Sequence, residues 1–255
     1  MFPLRDENPT ELTPYVTLLF IALNVIAWLV IQGMGQGEPF LQSLCSYGSI
    51  PGEITGQIPE GSRVGLGPGA SCTIGGLGWE TVLTSMFMHG SWMHLIGNMW
   101  FLWVFGNNIE DSMGHVRFVV FYLLTGVLAS AAHIFTGPAS GVPTVGASGA
   151  ISGVMGAYLL LYPKVRIQTL LFLVIYIRVI PMRAWVMLAY WFIIQVVSGA
   201  GSIGAEGGGV AFWAHVGGFV AGLVLIKPFE RRALVDAKRS GRTLSREEVR
   251  DLGWL

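Results

Sequence analysis

Six stretches of this chain, residues 16–31, 91–105, 118–135, 149–162, 184–197 and 210–226, are apolar enough with their amphipathic flanks to call for lipid rather than water as solvent. A helix needs about 20 mostly apolar residues to cross the hydrocarbon layer. Inside that layer each backbone N–H and C=O must be satisfied within the segment, so such runs form helices. Several of the six are short for a full crossing, which implies that their ends extend or lie in thinned bilayer. Charged residues make up only 12% of the chain, about half the share usual in a soluble domain. The expected fold is therefore all-α, a polytopic membrane helix bundle with six transmembrane helices. It divides into an N-terminal segment (1–14), a membrane domain (15–227) with a long loop at 33–79, and a basic tail (228–255). The first apolar run ends in Gln32-Gly33-Met34-Gly35 with no small-x-small cleavage site, and reads as a retained span.

Lys+Arg and Asp+Glu both number 15, a balance that gives no reason to expect a nucleic-acid partner. Their distribution is more informative. With six crossings, every cation except Arg63 falls on one side: Arg5, Arg117, the group Lys164, Arg166, Arg178 and Arg183, and all those of the tail. Positive charge marks the cytoplasmic face, so both termini are expected to be cytoplasmic. A seventh crossing at 167–180 would spoil this asymmetry, and that segment is read as interfacial or re-entrant. The opposite face holds loop 33–79 and two glycine-rich loops, 137–147 and 199–209. The only two cysteines, Cys45 and Cys72, lie in the long loop. They would bridge in an oxidising compartment and stay as two thiols in a reducing one. The tail is expected to be solvated or to lie on the membrane surface.

Polar side chains inside apolar spans are costly, and they mark function by default. Here they are His94 and Asn98 in the second span, His133 in the third, Ser148 and Ser152 in the fourth, and His215 in the sixth, with Asn24 and Gln195 besides. His94 and Asn98, four apart, share one helix face. Ser148 opens a helix after an irregular loop, where unpaired backbone N–H groups lie beside its hydroxyl. Such groups suit a developing oxyanion. Small residues at Gly149, Gly153 and Gly156, and at Ala214, Gly218 and Gly222, allow the fourth and sixth spans to pack closely. That packing would bring His215 to Ser148. Each feature has a plainer reading as packing or as a satisfied buried residue; the constellation on one side of the membrane is what carries weight.

These residues resemble the rhomboid family. Gly146-Ala147-Ser148-Gly149 is similar to its G-x-S-G motif. Ala214-His215-Val216-Gly217-Gly218, continuing to Gly222, is similar to its A-H-x-x-G-x-x-x-G motif. His94-Leu95-Ile96-Gly97-Asn98 resembles H-x-x-x-N, and Phe87-Met88-His89-Gly90 resembles the usual approach to that helix. Gly106, Glu110 and Gly114 match the turn after it. The resemblance covers about 79–226. It implies an intramembrane serine protease of multi-pass topology that cleaves transmembrane helices of other proteins near the outer face of the lipid bilayer. Ser148 would be the nucleophile and His215 the base. His94, Asn98 and the Ser148 N–H would form the oxyanion hole. His89 would be structural or water-holding, and Glu110 would tie the loop after the second helix into the fold. Gly146, Gly149 and Gly218 would shape the site. Two positions depart from the pattern. Ser152 stands where an aromatic often stacks on the histidine, and Trp79-Glu80 replaces a Trp-Arg pair.

No cofactor or metal is expected: His89, His94, His133 and His215 have no second-span carboxylate beside them, and Ser-Asn-His sets are poor metal sites. The rival readings are an inactive relative that binds membrane clients, and a small transporter or metal-binding membrane protein. An α/β-hydrolase is excluded because the motif ends in Ala150 and no strand–helix alternation surrounds it. The expected location is the plasma membrane of a prokaryote.

Overall fold

The computed structural model describes residues 1–67, 69–76, 78–173, 176–202, 209–242 and 246–251. In chain order these form β1 (Phe2–Asp6), α1 (Tyr15–Ile26, continued by a π turn to Ile31), α2 (Gly37–Tyr47), α3 (Pro51–Ile54), β2 (Arg63–Gly67), β3 (Ala70–Thr73), α4 (Thr81–Thr84), α5 (Trp92–Met113), α6 (His115–Thr136), α7 (Ser148–Leu161), β4 (Arg166–Leu173), β5 (Tyr176–Arg183), α8 (Ala184–Gly201), α9 (Phe212–Phe229), α10 (Arg232–Arg239) and α11 (Arg246–Asp251).

Helix α7 is the hub. It is apolar or small on all sides, and Gly149 through Tyr158 are buried without a break. A helix apolar all round belongs in an interior. Around it pack α5, α6 and α9, with a core that includes Phe105, Phe118, Phe121, Tyr122, Met155, Tyr158 and Phe219. Phe20 of α1 stacks on Tyr122 at 4.3 Å between ring centroids, which fastens α1 to this core. The outer faces carry exposed Leu18, Leu19, Val120, Ile193, Val197 and Val224. Among the described residues, α6, α8 and α9 are long and apolar enough to cross a membrane, while Tyr15–Ile31 and Ser148–Leu161 are shorter apolar helices.

The α7–α9 crossing rests on glycine. A Cβ on Gly218 would overlap the Gly149 carbonyl oxygen, one on Gly222 the Gly153 carbonyl, and one on Gly156 the Phe219 carbonyl. The two backbones are therefore in direct contact along about two turns of α7.

The structure corrects or extends the sequence reading in four places. First, the fold is not all-α. A three-stranded antiparallel sheet runs β1-β4-β5, and β2 pairs with β3. The segment expected to be interfacial or re-entrant is the β4–β5 hairpin, with Arg166 opposite Arg183 and Leu173 opposite Tyr176. Its branched and aromatic residues favour strand, and the N-terminal segment supplies the third strand, with Asp6 opposite Ile167. Second, α5 does not stop near residue 105 but continues to Met113. The added turn is polar, yet Asn108, Glu110, Asp111 and Ser112 are buried. Apolar periodicity ends where these begin, so it could not mark the helix end.

Third, that polar turn holds the N-terminal segment. Glu110 accepts from Val16 N–H at 2.9 Å and from Thr17 N–H and Oγ1 at 2.8 and 2.7 Å. It thereby satisfies amides that the start of α1 leaves open. Glu110 also meets His115 Nδ1 at 2.6 Å. Asp111 accepts from the Leu12 N–H at 2.7 Å and from the Glu11 N–H. Fourth, the tail is not simply solvated. In α10, Leu234 and Val235 are buried, Lys238 pairs with Asp111, and Arg239 donates to the carbonyls of Leu161 and Leu160 at 2.8 and 2.9 Å. A cation there meets the open carbonyls at the end of α7.

Candidate active site

At the other end of the bundle, α5, α7, α8 and α9 bring five polar side chains together. Ser148 is the first residue of α7, and His215 lies in the first turn of α9. The glycine-mediated crossing holds the two helix starts side by side. His215 Nε2 lies 2.7 Å from Ser148 Oγ. On the far side of the ring, His215 Nδ1 lies 2.8 Å from the Oε1 of Gln195, on α8. The Trp191 ring of the same helix sits 5.8 Å from the imidazole, tilted by 36°.

His94 and Asn98 approach from α5. The His94 Nδ1 accepts from the Gly90 N–H at 3.3 Å, which leaves Nε2 to carry the proton and act as a donor. That Nε2 faces the turn just before Ser148: a Cβ on Gly146 would stand 2.7 Å from it and 3.6 Å from Asn98 Nδ2. Gly146 has φ +129°, a backbone conformation suited to glycine. A side chain there is thus barred both by backbone and by space. Asn98 Nδ2 also lies 2.9 Å from His89 Nε2. His89 is fully buried, and Gln32 clasps its backbone: the His89 N–H donates to Gln32 Oε1 at 2.7 Å, and Gln32 Nε2 donates to the His89 carbonyl at 2.8 Å.

The loop before Ser148 is braced by loop 33–79. Ser49 and Thr144 exchange backbone hydrogen bonds of 3.0 and 2.8 Å, and Gly52 N–H donates to the Ser140 carbonyl at 2.8 Å; beyond that loop, Gly146 N–H donates to the Ser85 carbonyl at 2.9 Å. Cys45 and Cys72 form a disulfide, which closes this long loop on itself.

Of the residues singled out from sequence, Ser148, His215, His94, Asn98, His89, Gly146, Gly149 and Gly218 come together here. Glu110 lies at the opposite end of the bundle, near the end of α5 and against the start of α1. Ser152 does not reach His215; its Oγ donates to the Ser148 carbonyl at 2.6 Å. The aromatic neighbour of the imidazole is Trp191, from a different helix. Gln195 and Gln32 are the partners whose part sequence reasoning did not assign. Gln195 carried a signal, as an amide in an apolar span, but nothing in the sequence named its partner. Among the described residues no group of three or more His, Cys, Asp or Glu side chains could hold a metal ion. The part of loop 199–209 from 203 to 208 lies outside the described residues.

A hydroxyl at hydrogen-bond distance from an imidazole, beside converging N–H donors, can be deprotonated as it attacks a carbonyl. The Rhomboid domain model matches residues 77–232. The chain belongs to the rhomboid family. It is 31% identical over 146 residues to the Rhomboid protease GluP of Bacillus subtilis, covering 57% of this chain and 24% of that one. It is 30% identical over 169 residues to the mitochondrial RHOMBOID-like protein 6 of Arabidopsis thaliana, covering 61% and 54%. It is 27% identical over 148 residues to the mitochondrial Rhomboid protein 1 of Saccharomyces cerevisiae, covering 56% and 40%. The match thus spans 54% of the Arabidopsis protein, 40% of the yeast protein and 24% of GluP.

The relatives overturn one expectation. A prokaryotic plasma membrane is not supported, because mitochondrial rhomboid proteins of eukaryotes stand beside the bacterial one. Charge asymmetry and apolar length report that a chain lies in a bilayer and which way it faces. They do not distinguish one bilayer from another.

Proposed function

We propose that this protein is an intramembrane serine endopeptidase that cleaves transmembrane segments of membrane proteins with Ser148 as nucleophile and His215 as base. The observation that carries this reading is the 2.7 Å contact between Ser148 Oγ and His215 Nε2, on two helices whose backbones touch. Membership of a family with named proteases supports it.

In this mechanism His215 Nε2 takes the hydroxyl proton as Oγ bonds to the scissile carbonyl carbon. The carbonyl oxygen becomes an oxyanion, received by His94 Nε2, Asn98 Nδ2 and the Ser148 N–H. Collapse of the tetrahedral intermediate breaks the C–N bond, and His215 returns the proton to the leaving amine. Water then attacks the acyl-enzyme by the same route in reverse. The substrate partner is a membrane helix whose carbonyls are exposed by local unwinding, met within the bilayer. Six crossings with both termini on the cation-rich face are part of the proposal, with the Ser148 site near the opposite face.

The test is cleavage of a transmembrane substrate in liposomes together with labelling by an alkyl fluorophosphonate. Wild type should cleave and label, and Ser148→Ala and His215→Ala should do neither. Asn98→Ala should lower kcat by about 10²–10³, the usual effect of removing one oxyanion donor. Equal cleavage by wild type and Ser148→Ala would reject the assignment.

A further inference from the structure

Gln195 is a polar residue without an evident reason in α8. Its neighbours Ile193, Ile194 and Val197 are exposed apolar residues, whereas Gln195 itself is buried, 7% exposed. Burying an amide is unfavourable unless both ends are hydrogen-bonded. One end is weakly engaged, Nε2 standing 3.5 Å from the Trp191 carbonyl within the helix. The other end is the 2.8 Å contact from Oε1 to His215 Nδ1. Directing the NH₂ group at the Trp191 carbonyl turns the acceptor oxygen toward the ring. An imidazole facing an acceptor at Nδ1 carries its proton there and keeps a lone pair at Nε2, the atom that faces Ser148. Among the described residues the only side-chain hydrogen bonds drawn by the His215 ring are those to Gln195 and Ser148. The second is the bond to be used in proton transfer, so only the first is available to orient the ring.

We propose that Gln195 is the positioning residue of this site: a neutral acceptor, presented from α8, that holds His215 in the tautomer able to deprotonate Ser148. The proposal rests on the serine-hydrolase reading above. It also ties the base to a third helix. The α8 contact to α9 runs through Phe192 stacked on Phe219 at 4.6 Å and Trp191 at 6.0 Å from Phe219. Displacing α8 would therefore withdraw the acceptor and leave the ring free to rotate or to change tautomer.

The experiment uses full-length protein in lipid nanodiscs: wild type, Ser148→Ala, Gln195→Met (similar shape, no acceptor) and Gln195→Glu (an acceptor oxygen in either protonation state). Two readouts are taken. The first is labelling by an alkyl fluorophosphonate, resolved into the maximal inactivation rate and the probe's half-saturation concentration. The second is the ¹⁵N spectrum of His215, which reports which ring nitrogen holds the proton.

Gln195→Met should lower the maximal rate by about 10²-fold, short of the roughly 10⁴-fold loss when a triad's charged partner is replaced by one that enforces the wrong tautomer. Half-saturation should stay unchanged, and the Nδ1–H signal should give way to a mixture. Gln195→Glu should restore the rate to within about tenfold of wild type. An unchanged tautomer in Gln195→Met, or a Gln195→Glu protein no faster than Gln195→Met, would overturn the proposal in favour of a packing role. Failure of the hydrolase reading looks different: wild type and Ser148→Ala would label alike while the His215 tautomer still followed residue 195.

Discussion

Asp6 lies near the start of the chain, yet its Oδ2 accepts from the Tyr158 hydroxyl at 2.6 Å and from Asn108 Nδ2 at 2.7 Å. Burial raises its pKa from 3.8 to about 6, and the Tyr158 hydrogen bond and the charge of Lys238, which pull the other way, are outweighed. The consequence for stability has a definite sign. Between about pH 4 and pH 6 the folded chain holds a proton that the unfolded chain has released, so stability falls as pH rises through that window. Below it the contribution is fully present, and above about 6 it is gone. Asp6→Asn mimics the protonated form and should remove this slope. The thermal midpoint of wild type relative to Asp6→Asn should decline from pH 4 to pH 6 and then level off; a constant difference across that range would rule the mechanism out. Nothing in the sequence singles out Asp6, because its burial is a product of the tertiary fold, and its hydrogen-bond partners lie 102 and 152 positions away.

The α7 and α9 helices are the pair of elements on which the site depends. Their small-residue stripes were legible as a packing signal, and the structure shows how little room they leave. A Cβ on Gly222 would fall on the Gly153 carbonyl and Cα, and backbone cannot move aside as a side chain can. Overpacking in a core typically costs about 1–3 kcal/mol. Gly222→Ala should fall at or above the upper end of that range, because the clash is with backbone. Thermal unfolding in detergent would measure it. The same variant should lose fluorophosphonate labelling at Ser148 even below its unfolding temperature, since pushing the helices apart lengthens the 2.7 Å contact. Full labelling would mean that the separation is absorbed elsewhere.

At the scale of the whole molecule, the two ends of the bundle are organised differently. One end is tied by carboxylates: Glu110, Asp111 and Asp6 gather β1, the start of α1 and α10 around the end of α5. The other end is tied by loop-to-loop backbone bonds and by the Cys45–Cys72 disulfide. That bridge joins residues 27 apart, a span for which the chain-entropy model gives about 3–4 kcal/mol. Reduction, or Cys72→Ser, should therefore loosen loop 33–79 and with it the loop before Ser148. Hydrogen exchange should accelerate at Ser49, Gly52 and Thr144, whose amides bridge the two loops, while α7 stays protected. Unchanged exchange at Gly52 and Thr144 would show that the disulfide does not brace the site.

The sequence by itself determined the solvent, the helical bulk of the fold and the family, because apolar length and ordered short motifs are local properties. It also pointed to Ser148, His215, His94 and Asn98 through their presence in apolar spans. It did not determine the β1-β4-β5 sheet, the polar extension of α5 or the docking of α10. Each of these is fixed by partners far away in the chain: an N-terminal strand for the hairpin, backbone amides for Glu110 and Asp111, an acidic residue for Lys238. The same holds for Gln195. Its side chain is conspicuous in the sequence, but only the packing of α8 against α9 decides that it faces His215, because a hydrogen bond is settled by where two groups end up, not by what either residue is.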